Sequence, residues 1–289
     1  MRTVLRAAIV ILVLAIAGIL WASRAGEKGS IRPDVPTARA IRVLPPDSVI
    51  TGPVDAEHKV RGYDIRLVRD TAAGDQIVDI TRNSHRVFAV RSTNIDLDSV
   101  GVDITGDRIP DLIVQAFTGG MHCCTQATVL SLGDTLSVLG TINGADGEVE
   151  FYDPDDDGIL EVKVGDYRFA YWREYAFVET QVPEVILRFR HGGYEPACDL
   201  MAEDAPSQAT LDRRARELTD GWTAGDPPAG FWGYAVDLIY AGHADIAWRW
   251  LDRAWPQNIE GKAEFISDLR ETLRGSPCWS PAPTARPIG

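Results

Sequence analysis

Residues 63–91 read YDIRLVRDTAAGDQIVDITRNSHRVFAVR, and this stretch decides the class of fold. Its first part, Tyr63–Arg69, alternates between apolar and charged side chains, which is the pattern of a half-buried strand. Two further apolar runs, Gln76–Thr81 and Arg86–Arg91, flank the turn-forming residues 82–85 and predict a hairpin. Short strands joined by tight turns indicate an antiparallel sheet.

Runs of the same kind continue along the chain, with turn residues about every ten positions. They predict further strands at Leu112–Phe117, Gln126–Leu132, Leu136–Ile142, Glu148–Tyr152, Leu160–Val164, Phe169–Trp172 and Val185–Arg190. Many short strands with regularly spaced turns indicate an antiparallel β domain, which we place at residues 57–198. Its sheets are expected to resemble propeller blades or a sandwich.

The periodicity of the sequence changes after Cys198. Apolar residues then recur at helical spacing, and glycine or proline ends most of the segments. The segments predicted as helices are Leu211–Leu218, Phe231–Tyr240, Ala244–Trp255 and Lys262–Arg274. Residues 199–279 are therefore predicted to form a small α-helical hairpin or bundle. The whole fold is predicted to belong to the α+β class.

The chain is strongly acidic. Its 289 residues include 42 acids and 29 lysines and arginines, so the formal net charge is −13. A surface this negative disfavours nucleic acid and anionic lipid as partners, and it favours cations.

The N-terminus has the pattern of an export signal. Arg2 and Arg6 precede an uncharged apolar stretch over residues 7–22, and small residues follow it. Residues 1–25 are therefore predicted to be a signal peptide cleaved after Ala25, or an uncleaved anchor that crosses the inner membrane through residues 7–22. Either alternative places the folded part in the periplasm or outside the cell.

Two proline-rich segments flank the predicted domains. Residues 26–56 contain five prolines and little periodicity, so we expect an extended linker there. Residues 280–289 contain three prolines and are expected to form a disordered tail.

The chain has four cysteines, Cys123, Cys124, Cys198 and Cys278. In an exported protein they suggest disulfides, and three pairings are possible. We favour a bridge between Cys198 and Cys278, because they lie where the two predicted regions end and because a bridge between the adjacent Cys123 and Cys124 would be strained. Four buried free thiols are the alternative.

The strongest chemical signal is the loop Asp153-Pro-Asp-Asp-Asp-Gly-Ile-Leu-Glu161. A calcium loop brings oxygen atoms to one point, with acids at positions 1, 3 and 5, glycine at position 6 and a backbone carbonyl at position 7. Here these ligands would be Asp153, Asp155, Asp157 and the carbonyl of Ile159, with Glu161 closing the shell. Such a density of carboxylates is repulsive without a cation, so we predict calcium, with an exposed acidic turn as the alternative.

A weaker copy of this loop lies fifty residues upstream, at Asp103-Ile-Thr-Gly-Asp-Arg-Ile-Pro-Asp111. Its candidate ligands are Asp103, Thr105, Asp107 and Asp111, and Arg108 stands where the calcium loop has glycine. The loop is predicted either to bind a second calcium ion or to be a structural turn, with Arg108 supplying the positive charge.

These two loops, each followed by a strand, resemble the FG-GAP or VCBS repeats of integrin-type β-propellers. The resemblance covers residues 95–170. In that family, aspartate-rich loops bind calcium between the strands of a blade. The resemblance implies that calcium is held by Asp103, Asp107, Asp111, Asp153, Asp155, Asp157 and Glu161.

The chain is also similar to a group of exported bacterial proteins that carry a Gly-Gly-x-His-Cys-Cys segment after the first aspartate loop. Here the segment is Gly119-Gly-Met-His-Cys-Cys124. It could bind a soft metal or hold a reactive cysteine beside His122. However, adjacent strand residues point to opposite faces, which favours a turn followed by buried or bridged cysteines.

Familiar enzyme motifs are absent from the sequence, including the Gly-x-Ser-x-Gly elbow and the His-Glu-x-x-His zinc motif. The sequence therefore favours a non-catalytic binding or structural module of the bacterial envelope, stabilised by calcium, whose partner is an envelope protein or a glycan. The alternative is a periplasmic hydrolase or other envelope enzyme with a site between the two regions.

Overall fold

The computed structural model describes residues 41–120 and 123–279, and these residues belong to one compact unit. The predicted signal or anchor over residues 1–25, most of the predicted linker over 26–56 and the predicted tail over 280–289 lie outside the described residues. His122 lies outside them as well. Among the residues described, no helix has the length and apolar character needed to cross a bilayer.

Thirteen strands come first in the described chain. They are β1 (Arg42–Val43), β2 (Val54–Val60), β3 (Tyr63–Asp70), β4 (Asp75–Arg82), β5 (His85–Ser92), β6 (Asn94–Val102), β7 (Asp111–Gly120), β8 (Cys123–Leu132), β9 (Leu136–Ala145), β10 (Val149–Tyr152), β11 (Glu161–Gly165), β12 (Glu184–Arg190) and β13 (Gly193–Pro196). Four helices follow them, α1 (Gln208–Thr219), α2 (Ala229–Tyr240), α3 (Ala244–Ala254) and α4 (Lys262–Leu273).

The strands form three antiparallel sheets, in the orders β1-β5-β4-β3-β2, β6-β7-β8-β9 and β10-β11-β12-β13. We call them sheets 1, 2 and 3. Each contains four consecutive strands joined as a meander, and β1 adds a short fifth strand to sheet 1. Antiparallel sheets followed by helices confirm the predicted α+β class. Because β1 and part of β2 lie within residues 26–56, the end of the predicted linker belongs to sheet 1.

Sheet 2 is the middle layer of the fold, because its central strands are buried on both faces. Successive strand residues point to opposite faces. On β7, Leu112 packs in a core shared with sheet 1, whereas the next residue, Ile113, packs in a second core. On β8 the same alternation separates Leu130 from Val129. The second core also contains residues of sheet 3 and of all four helices.

One predicted strand is wrong. Residues 169–172 were expected to be extended, but two 3₁₀ turns, Tyr167–Phe169 and Trp172–Glu174, occupy this region. The Asp166 side chain accepts a hydrogen bond from the backbone N–H of Arg168, which begins the first turn. Tyr171 then has a left-handed backbone with φ of 56°, which interrupts the extended conformation between the two turns.

A disulfide joins Cys198, just after β13, to Cys278, just after α4, with 5.7 Å between the two Cα atoms. It closes a segment that contains all four helices. Cys124 is also disulfide-bonded.

Candidate metal site in two aspartate loops

The two aspartate loops occupy equivalent positions in their sheets. Residues 103–110 connect β6 to β7, and residues 153–160 connect β10 to β11. In both cases the loop joins the first and second strands of a four-stranded meander. The acid at position 9, which is Asp111 or Glu161, is the first residue of the second strand, and both acids are fully buried.

The two loops share a backbone shape. Positions 4 and 6 have left-handed φ angles in each, at 79° for Gly106 and 67° for Arg108, and at 57° for Asp156 and 84° for Gly158. Glycine therefore stands at position 4 of the first loop and at position 6 of the second. Both loops form the same turns although glycine stands at a different position in each. The shape of the loop therefore does not depend on glycine at one particular position.

The acids at positions 1 and 5 hold this shape through backbone hydrogen bonds. Asp103 accepts three N–H groups of its own loop at 2.7–3.1 Å, and Asp153 accepts two at 2.9 and 3.1 Å. The position-5 acids, Asp107 and Asp157, each accept the N–H two residues later, at 2.7 and 2.8 Å. In both loops the acids at positions 1 and 5 therefore stabilise the turn by accepting backbone hydrogen bonds.

The two loops lie side by side. The backbone N–H of Leu160 donates a 2.9 Å hydrogen bond to the carbonyl oxygen of Ile104. A Cβ atom at Gly106 would come within 2.9 Å of the Ile159 side chain, so the loops approach closely at this glycine.

Three carboxylates of the second loop converge. One oxygen from each of Asp153, Asp155 and Glu161 lies within 4.8 Å of the others, which makes this a possible metal-binding group. Asp157 lies outside the group, and the carbonyl of Ile159 remains a predicted ligand. Calcium binds six to eight oxygens and prefers carboxylates, so these three residues fit it as a partial shell.

The Arg188 guanidinium lies in this carboxylate group. Its Nε is 2.6 Å from Glu161 Oε1, and its Nη2 is 2.5 Å from Asp155 Oδ2. Its third nitrogen, Nη1, is 3.3 Å from Asp199 Oδ2. These contacts raise the pKa of Arg188, with the hydrogen bond to Glu161 as the largest cause. One protein cation therefore bridges two of the three candidate metal ligands.

In the first loop the position-9 acid, Asp111, makes hydrogen bonds within its own loop. Asp111 Oδ2 accepts hydrogen bonds from the Ile104 N–H at 3.0 Å and from the Thr105 hydroxyl at 3.2 Å. Burial raises the pKa of Asp111 to about 6, against the lowering effect of these hydrogen bonds. Within the described residues, the candidate ligands Asp103, Thr105, Asp107 and Asp111 do not form a converging group like that of the second loop.

Three buried oxygen atoms near the loops lack hydrogen-bond partners, namely Asp111 Oδ1, Glu161 Oε2 and the Tyr194 hydroxyl. Burial raises the pKa of Tyr194, and the charges of Asp111 and Glu161 raise it further. Tyr194 of β13 is therefore close enough to both closing acids to feel their charges. An unpaired buried carboxylate oxygen is costly, which makes Glu161 receptive to a cation.

Sequence reasoning missed Arg188, Asp199 and Tyr194. Arg188 lies on a predicted strand, but its role depends on the register of β11 and β12. Val162 pairs with Leu187, so Glu161 and Arg188 are opposite each other one step along the ladder. A sequence does not contain this pairing, although a lone arginine between apolar residues of a predicted strand is a usable signal.

A separate groove of about 510 Å³ lies between β12, the chain that follows β13, and helices α1 and α2. Asp237 is its most unusual wall residue, because it is the one charged residue of α2. Asp237 is an exposed residue of the groove wall, and partial desolvation there, with a smaller effect of Glu203, raises the pKa of its carboxyl to about 6. An acid within an otherwise uncharged helix was the available sequence signal.

The Gly119–Cys124 segment includes the end of β7 and the start of β8. Gly119 has φ of 78°, and the backbone N–H of Cys124 donates a 2.8 Å hydrogen bond to the Thr118 hydroxyl.

The fold and the site together define an antiparallel β protein with three successive meander sheets, a carboxylate group at a strand junction and a helical C-terminal part. Comparison with family models, with curated proteins and with solved structures finds no match to this chain.

Proposed function

We propose that the protein is a non-catalytic binding or structural module of the bacterial envelope that calcium stabilises. The observation that carries this proposal is the convergence of Asp153, Asp155 and Glu161, with Glu161 fully buried and one of its oxygens unpaired. A divalent cation held there would offset the repulsion among these carboxylates. The loop joins β10 to β11, so the ion would fix the first hairpin of sheet 3.

The predicted location supports the same proposal. Calcium loops with Kd of about 10⁻⁴–10⁻³ M suit extracellular modules, where calcium is abundant. A disulfide such as Cys198–Cys278 persists in the same oxidising compartments. The partner of the module is proposed to be an envelope protein or a glycan.

Thermal unfolding with and without calcium tests the proposal. We expect millimolar calcium to raise the Tm of the chain without residues 1–25, and a chelator to reverse the increase. Asp155→Asn should abolish the shift, because it removes the charge of a converging ligand. Asp156→Asn is the matched control, because Asp156 is the exposed neighbour outside the group. A wild-type Tm that calcium leaves unchanged would rule the function out.

An envelope enzyme is the second candidate function, and the groove beside α2 is the observation that favours it. A carboxyl with a pKa near 6 can act as a general acid or base near neutral pH. Asp237 would hold the catalytic proton, with Glu203 and His243 also on the groove wall. Turnover on ester, amide and glycoside panels that Asp237→Asn abolishes would support this candidate, and turnover that survives the substitution would exclude the groove.

A further inference from the structure

We infer that Arg188 is a built-in competitor of the metal ion, so that the site exchanges a protein cation for a divalent one. This inference rests on the proposed calcium function and concerns how that site is regulated. In the structure, Arg188 bridges Asp155 and Glu161. In the calcium-bound state, Arg188 leaves both carboxylates and retains Asp199.

The competition follows from the shared ligand atoms. Glu161 Oε1 and Asp155 Oδ2 each accept a short hydrogen bond from the guanidinium, at 2.6 and 2.5 Å. A calcium ion needs carboxylate oxygens of the same two residues in its shell. Two cations in contact with the same carboxylates would repel each other, so occupancy by one lowers the affinity for the other.

Burial makes the competition strong. Glu161 is fully buried and its other oxygen, Oε2, has no hydrogen-bond partner, so this carboxylate requires a positive charge in either state. The Arg188 side chain is only 14% exposed, and solvent screens its contact with Glu161 little. Loss of one cation without arrival of the other would leave this buried carboxylate unpaired, which is costly.

Asp199 provides the alternative position for the arginine. Its carboxylate already lies 3.3 Å from Nη1 of Arg188, and its side chain is 61% exposed. Because Asp199 follows Cys198, the arginine in the calcium state would be bound to the disulfide-linked start of the helical part. The exchange therefore connects the ion site to a segment outside sheet 3.

Calorimetric titration of the chain without residues 1–25 with calcium tests the exchange. We expect Arg188→Met to bind calcium between about 5-fold and about 150-fold more tightly than wild type, the usual range for coupled sites. The matched control is Arg190→Met, which removes an exposed arginine of the same strand, and its affinity should equal that of wild type.

A double-mutant cycle separates competition from a structural role. Asp199→Asn should weaken calcium binding when Arg188 is present, because it removes the position that receives the arginine. In the Arg188→Met background the same substitution should have no effect, since no arginine needs to move. A merely structural Asp199 would lower the affinity equally in both backgrounds.

The outcomes are distinguishable. If wild type binds calcium and Arg188→Met binds it equally or more weakly, the competition is refuted and the calcium function stands. If no variant binds calcium, the proposed function fails and the inference fails with it. If Arg188→Met unfolds without calcium, Arg188→Lys is used instead. It keeps a positive charge without the two-carboxylate fork, and its affinity should exceed that of wild type. If Arg188→Met folds only when calcium is present, this dependence supports the exchange.

Discussion

At the scale of single residues, Asp237 shows how a groove changes the chemistry of an ordinary side chain. It lies among apolar residues of α2, and no hydrogen bond or ion pair of its carboxylate is found in the described part of the chain. Asp237 is exposed, but the walls of the groove partly desolvate its carboxyl, and Glu203 adds a like charge. Both effects disfavour the ionised form and raise the pKa from 3.8 to about 6.

This raised pKa predicts a pH dependence with a definite sign. Because the folded pKa lies above the unfolded one, protonation of Asp237 favours the folded state. Its contribution to stability is complete below pH 3.8 and is lost as the pH rises through about 6. We expect the Tm of wild type, relative to that of Asp237→Asn, to fall between pH 4 and pH 7.

Asp212→Asn is the control for this measurement. Asp212 is an exposed acid of α1 outside the groove, so its replacement should leave the pH profile unchanged. Parallel profiles for wild type and Asp237→Asn over the whole range would contradict the raised pKa.

At the scale of secondary-structure elements, the sequence predicts β3, β4 and β5, whose runs contain several buried apolar residues. The alternation in Tyr63–Arg69 corresponds to β3, and the predicted hairpin corresponds to β4 and β5. By contrast, the sequence does not predict β2. Val54–Val60 lies at the edge of sheet 1 and is mainly exposed, so it lacks the alternation of buried and exposed residues that indicates a strand. Such a strand forms because it pairs with its neighbour, here β3, and not because of its own hydrophobic pattern.

The sequence also predicts only part of the candidate site. Asp153, Asp155 and Glu161 could be read from the sequence, because a metal loop draws its ligands from one short segment. Arg188 lies 27 residues beyond Glu161, and only the β11–β12 register brings it there. The spacing of residues in the sequence therefore reveals the acids. The arginine that neutralises them can be identified only from the pairing of the strands.

The shared shape of the two loops gives a prediction about Arg108. Its φ of 67° lies in the left-handed region, which costs a residue with a Cβ about 1–2 kcal/mol. The equivalent position of the second loop is Gly158. We expect Arg108→Gly to raise the free energy of unfolding by up to about 1 kcal/mol, since part of the relief is offset by the entropy of glycine in the unfolded chain.

Arg108→Ala is the matched control, because alanine removes the long side chain but keeps the Cβ atom. Urea unfolding of the three proteins measures the difference. If alanine stabilises as much as glycine, the gain comes from the arginine side chain, and the backbone explanation is wrong.

At the scale of the whole molecule, the helical part is connected to the sheets in two ways. The second core contains residues of sheets 2 and 3 together with the helices, including the fully buried Val162, Trp232 and Phe265. The Cys198–Cys278 disulfide then ties the first and last parts of the helical segment to each other. The core acts in the folded state, whereas the disulfide acts largely by restricting the unfolded chain.

Removing the disulfide should therefore be costly without changing the fold. The two cysteines are 80 residues apart, and closing a loop of this length lowers the entropy of the unfolded chain by the equivalent of about 4.5 kcal/mol. We expect the double variant Cys198→Ser, Cys278→Ser to lose about this much free energy of unfolding in urea. Replacing both cysteines leaves the bridge at Cys124 intact, which chemical reduction would not do.

The shape of the unfolding curve distinguishes the two connections. Because the helices share a core with sheets 2 and 3, the variant should still unfold in one cooperative transition, at a lower urea concentration. Tryptophan fluorescence follows mainly the helical part, because six of the eight tryptophans lie at residues 222–279, and far-ultraviolet circular dichroism follows the whole chain. If the fluorescence transition precedes the other, the helices unfold separately, and the disulfide rather than the shared core is what holds them to the sheets.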